Sequence, residues 1–106
     1  MTTFDKREKE EEARYKRDDE LKFKVTARRN KLLGLWAAEQ LGIQGDAADA
    51  YAKEVIAADF ERPGDSDVVE KVLKDFGAKG VAMDEHRLRK EMTRLMDVAR
   101  QQVMSD

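Results

Sequence analysis

The chain has 106 residues, 42 % of them charged and 7 % aromatic, with 21 basic against 23 acidic side chains and a net charge of −2. That length holds one domain with a thin core, and interspersed charges of both signs leave no basic stripe for a nucleic-acid backbone. No apolar run reaches the roughly eighteen residues of a membrane span, and no apolar stretch follows a basic start, so neither membrane insertion nor export is expected. The absence of cysteine excludes disulfides, thiolate catalysis and Cys-based zinc sites, and it fits a reducing cytoplasm.

The first element in chain order is Arg7 to Glu20, where only Ala13 and Tyr15 are uncharged. Such a segment has little apolar surface to offset the entropy of ordering. Its charges nonetheless fall in helical register. Spacings of four pair Asp5 with Lys9, Arg7 with Glu11, Glu12 with Lys16, Arg14 with Asp18 and Lys16 with Glu20, while Glu8 faces Glu12 as a like pair. At about 0.2–0.5 kcal/mol each, these pairs bias the segment toward helix without holding it there alone. A conditionally helical segment over 1–20, ahead of a folded body over 21–106, is the expected domain organisation. With no proline or glycine before Gly34, one rod from about residue 3 to 41 is sterically allowed, roughly 58 Å long. Sparse apolar anchors at Phe4, Ala13 and Tyr15 suit insertion into a partner, against the alternative of a solvated, frayed terminus.

From Leu21 the pattern becomes amphipathic, with Leu21, Val25, Leu32, Leu35 and Trp36 near one face and Gly42 as the stop. A second helix is expected from Asp46 as N-cap, burying Ala47, Ala48, Tyr51, Val55 and Ile56. Pro63-Gly64 predicts a turn. A third helix capped by Asp65 or Ser66 should bury Val69, Val72, Leu73 and Phe76 and end near Gly77 or Gly80. The fourth starts with Asp84 as N-cap, with Met83 and Leu88 as a hydrophobic staple, and carries Leu88, Met92, Leu95, Met96, Ala99 and Val103 on one side. Without period-two alternation, the expected fold class is all-α, a four-helix bundle preceded by a charged segment.

Candidate chemistry is sparse. His86 is the single histidine, and with no cysteine it makes a transition-metal site improbable; it reads as an exposed residue of the last helix's first turn. Gly42-Ile43-Gln44-Gly45 lacks the Gly-Lys-Ser/Thr ending of a phosphate loop and reads as helix punctuation. No carboxylate pair is set among apolar residues as a tuned acid and base, so neither enzyme nor cofactor is expected. Arg28, Arg29 and Lys31 are candidate anion contacts; the alternative is solvated residues whose stems cover the apolar stripe.

The block Ala27-Arg28-Arg29-Asn30-Lys31-Leu32-Leu33-Gly34-Leu35-Trp36-Ala37-Ala38 resembles the zeta subunit of alphaproteobacterial F-type ATP synthases. So do Gly45 to Ala52, Ala58-Asp59-Phe60, Pro63-Gly64-Asp65 and the opening Thr2-Thr3-Phe4-Asp5. The resemblance implies a four-helix bundle and an inhibitor of ATP hydrolysis whose N-terminal segment enters an alpha/beta interface of the catalytic head near the gamma rotor. Carried over by position, the inhibitory contacts would be Phe4, Asp5, Arg7, Glu8, Glu12, Ala13, Tyr15, Lys16, Asp18 and Asp19. Leu21, Phe23 and Val25 would join that segment to the bundle. Glu11, Lys16 and Arg17 make this version more polar than the pattern it resembles. The location implied is cytoplasmic, peripheral to the inner membrane through the ATP synthase. Two other readings stay open: a non-inhibitory adaptor subunit of the same complex, and an anion- or nucleotide-sensing helical module.

Overall fold

The computed structural model describes the backbone of residues 3–59 and 64–105, and the side chains within those ranges from Asp19 onward. Four helices occur among the described residues and no strand: α1 (Thr3–Leu41), α2 (Asp46–Ala58), α3 (Ser66–Ala78) and α4 (Glu85–Ser105). Contacts between their ends set the topology. Arg28 in α1 bonds Gln102 near the end of α4, while Ala52 of α2 lies against Gly34 of α1. Lys71 and Tyr51 join α3 to α2 through Glu54 and Asp75. Tyr51 pairs with Asp75 and Glu54 with Lys71, in opposite chain order, so α2 and α3 run antiparallel, as short connections favour.

The helix ends follow from residue chemistry. Gly42 takes a φ of 76°, and the Ile43 N–H bonds the Ala38 carbonyl at 2.8 Å while Ile43 packs on the core. Gly80 repeats the device with a φ of 72° and a 2.9 Å bond from Val81 N–H to the Phe76 carbonyl. A left-handed residue is needed to turn the chain back this way, and glycine adopts it without strain. Asp84 caps α4 by accepting the Arg87 N–H at 2.7 Å. Met83 packs against the cluster that contains the fully buried Leu88.

Two expected caps differ. α2 begins at Asp46 itself, after Gly45 at a φ of 64°, and makes no side-chain cap bond. Asp65 precedes α3 but leaves its N–H groups uncapped, because its carboxylate is taken by Arg29. Phe60 and Pro63 lie outside the described residues.

The core is built from Leu33, Ala37 and Leu41 of α1, Tyr51 and Val55 of α2, Val68, Val72 and Phe76 of α3, and Leu88, Met92 and Leu95 of α4. Trp36 is half-buried at its edge, meeting Phe76 edge-on with ring centroids 6.0 Å apart. Ala47, expected inside, is exposed, and Ala48 and Ile56 are only half-buried, because α2 turns Ala52 and Ala58 inward instead. α1 departs most. Its buried face runs through Val25, Arg29, Asn30, Leu33, Gly34, Ala37, Ala38 and Leu41, and the expected Leu32, Leu35 and Trp36 stand half-buried on its edges. α1 contacts both α2 and α4, so its central strip meets two neighbours and small side chains suit that crowding.

Candidate interaction surface

α1 has 39 residues and α4, the next longest, 21, or about 58 Å against about 32 Å. Met104 at the end of α4 shares a groove with Leu21, so α1 continues past the bundle from there. The molecule measures 66 × 25 × 21 Å accordingly. Residues 3–20 thus form a helical arm about 27 Å long. The side chains of Phe4, Asp5, Arg7, Glu8, Glu12, Ala13, Tyr15, Lys16 and Asp18 lie outside the described residues, and Asp19 is exposed.

The junction is graded. Val25 is buried, Leu21 half-buried, and Phe23 stands 59 % exposed. Lys22 and Lys24 alternate with these residues, and α4 brings alongside Val103, expected on its apolar side, and Met104, which the sequence pattern did not mark. The alternation Leu21-Lys22-Phe23-Lys24-Val25 was the available signal: period two inside a helix spreads apolar side chains around the axis and leaves some of them uncovered.

The candidate anion cluster does not converge. Arg29 is 2 % exposed, with its guanidinium 2.7 Å from one Asp65 oxygen and 3.4 Å from the other, and its Nε donates to Asn30 Oδ1 at 2.8 Å. Burying a guanidinium requires such pairing, and the planar fork fits one carboxylate. Arg29 therefore ties α1 to the start of α3. Arg28 reaches Gln102 at 2.9 Å, and Lys31 is exposed.

A second polar cluster joins α2 to α3. The Tyr51 hydroxyl donates to Asp75 at 2.7 Å, and Lys71 bonds both Asp75 and Glu54 while lying over the Tyr51 ring, 5.1 Å from its centroid. Burial, then the Asp75 hydrogen bond, then the charges of Asp75 and Glu54 push the Tyr51 phenol well above its ordinary range. Burial acts to lower the Lys71 ammonium, but its bonds to Asp75 and Glu54 outweigh that and raise it. These groups pair with one another across α2 and α3. Among the described residues no carboxylate, histidine or cysteine group of three could hold a metal ion, and no helix is long and apolar enough to cross a membrane. His86 is exposed.

The arm and the apolar, lysine-bearing surface at its base are the candidate interaction surface. Comparison with known proteins gives this shape a context. The family model described as ATPase inhibitor subunit zeta matches residues 1–102. Among solved structures, a solution NMR structure is 50 % identical over 80 % of this chain and 96 % of that one, with a TM-score of 0.72. Among curated protein sequences no match is found.

Proposed function

Because the chain belongs to the ATPase inhibitor subunit zeta family, we propose that it blocks ATP hydrolysis by inserting the α1 arm between an alpha and a beta subunit of the F-type ATP synthase head, close to the gamma subunit. The observation that carries this reading is the arm itself: about 27 Å of helix beyond the bundle, attached without a break to a compact body. An isolated helix of that length and charge is marginal in water, so a partner that supplies packing supplies the missing stability.

Blocking of this kind needs no reactive group. Rotary hydrolysis requires each catalytic interface to pass through a series of states, and a wedge that binds one state more tightly than the others stops the series there. In this reading Phe4, Ala13 and Tyr15 supply apolar contact and Asp5, Arg7, Glu8, Glu12, Lys16, Asp18 and Asp19 the polar contacts. Leu21, Phe23 and Val25 hold the arm to a body that stays outside, on the cytoplasmic face of the complex.

Deleting residues 2–19 tests the assignment. Full-length protein should suppress hydrolysis by the cognate ATPase, whereas the truncated chain should retain its helical circular dichroism and melting transition and inhibit nothing. Equal inhibition by both would remove the arm from the mechanism. Recovery of the complex in a pull-down, with hydrolysis uninhibited by full-length protein, would instead support the adaptor reading.

A further inference from the structure

Around Leu21, where α1 leaves the bundle, two open grooves flank the helix. Leu21, Phe23, Ile56 and Val103 form the apolar wall of the first, whose volume is about 630 Å³. Leu21, Val25, Met96 and Met104 wall the second. Leu21 belongs to both, so they form one surface. Phe23 at 59 % and Met104 at 68 % are the large hydrophobic side chains that stand exposed among the described residues, and both belong to this surface. Apolar area of this kind gathers in one place when something covers it.

The charge of the surface indicates what. Lys24, Arg28 and Lys31 rim the first groove, Lys22 and Arg100 the second, and among the described residues no carboxylate lines either. The chain as a whole has more acids than bases. Glu20, next to Leu21 in the chain and four residues before Lys24, is exposed, as is Asp19, but neither lines a groove. A second copy of the chain is a poor occupant, since a two-fold contact here would set the same cations against one another.

We propose that this surface docks an acidic amphipathic helix on the exterior of the ATP synthase head, whose apolar side chains enter the grooves and whose carboxylates meet the lysine rim. The proposal rests on the family reading above and deepens it: the arm blocks, and the ring at its base anchors. Leu21 lies 18 residues from Thr3, so the docked helix sits about 27 Å along the arm from its tip. Body and arm then bind one partner together, and each raises the local concentration of the other.

The test compares full-length wild type with the Phe23→Ser/Lys24→Glu/Lys31→Glu variant, binding each to the purified cognate catalytic head. All three side chains are exposed, so the bundle should keep its melting transition, and Lys24→Glu/Lys31→Glu alone serves as a milder variant. The triple variant should bind about tenfold or more weakly, inhibit only at correspondingly higher concentration, and lose less affinity than wild type when salt is raised. Carbodiimide, which joins an amine to a carboxylate without a spacer, should link Lys24 or Lys31 of the wild type to acidic residues on one helix of the head. Unchanged affinity in the triple variant overturns the proposal, as do cross-links confined to a second copy of this chain or capture by anionic vesicles in place of the head. Groove-dependent binding without inhibition would retire the wedge and keep the docking site. Inhibition indifferent to the groove substitutions would do the reverse.

Discussion

At the scale of single residues, polar side chains set positions that hydrophobic periodicity does not reveal. Arg29 and Asn30 are buried, yet their sequence context, a basic run before a leucine cluster, reads as surface. Only the three-dimensional approach of Asp65, 36 residues later, makes burial of that guanidinium tolerable. The same carboxylate could cap α3 or pair with Arg29, and the bidentate charge-assisted contact wins. Tyr51 gives a measurable consequence. Its folded pKa is raised, by burial first and Asp75 second. A raised value means that this contribution to stability is complete below the unfolded pKa of about 10 and is lost as pH climbs above it, by up to about 1.4 kcal/mol per pH unit. Chemical denaturation between about pH 10 and 12 should show wild-type stability falling more steeply than that of Tyr51→Phe. Parallel slopes would mean that the phenol ionises as readily in the folded chain as in the unfolded one.

At the scale of elements, helix ends were legible and helix faces less so. Gly42 and Asp84 act where the sequence places them, since a left-handed turn and an N-cap are local chemistry. α4 was legible at Leu88, Met92, Leu95 and Ala99, which are buried, while Met96 and Val103 of the same expected stripe are half-buried. α1 was not legible, because it packs against two helices and its buried strip includes Gly34, Ala37 and Ala38. Gly34 is there for closeness: a Cβ on it would sit 2.5 Å from Ala52 Cα and 3.0 Å from Ala52 Cβ. Gly34→Ala must push α2 away, a cost of about 1–3 kcal/mol that exceeds the roughly 1 kcal/mol gained in helix propensity. Gly77 sits inside α3 with nothing within 4 Å of an added Cβ. Thermal melts should therefore move in opposite directions, down by several degrees for Gly34→Ala and slightly up for Gly77→Ala. A Gly34→Ala melt at or above wild type would mean that the two helices do not meet at this contact.

At the scale of the whole molecule, shape and charge divide the labour. A bundle of short helices supplies a body, and the first helix outruns it by about half its length. The sequence made that extension legible through the lack of proline and glycine before Gly34 and several opposite-charge pairs at spacings of four, and the resemblance around Ala27 to Ala38 supplied the family that the match over residues 1–102 establishes. The basic surface around Leu21 was not legible, because Lys22 comes beside Arg100 and Met104, and Lys24 beside Val103, only when α4 returns along α1. Entry of the arm into the catalytic head is the step we propose. A photo-activated cross-linker placed at position 13, in the middle of the arm, tests it most directly when full-length protein is bound to the ATPase during hydrolysis. Capture of alpha and beta subunits at their shared catalytic interface is the predicted result, and capture only at outer surfaces, or none despite inhibition, would contradict it.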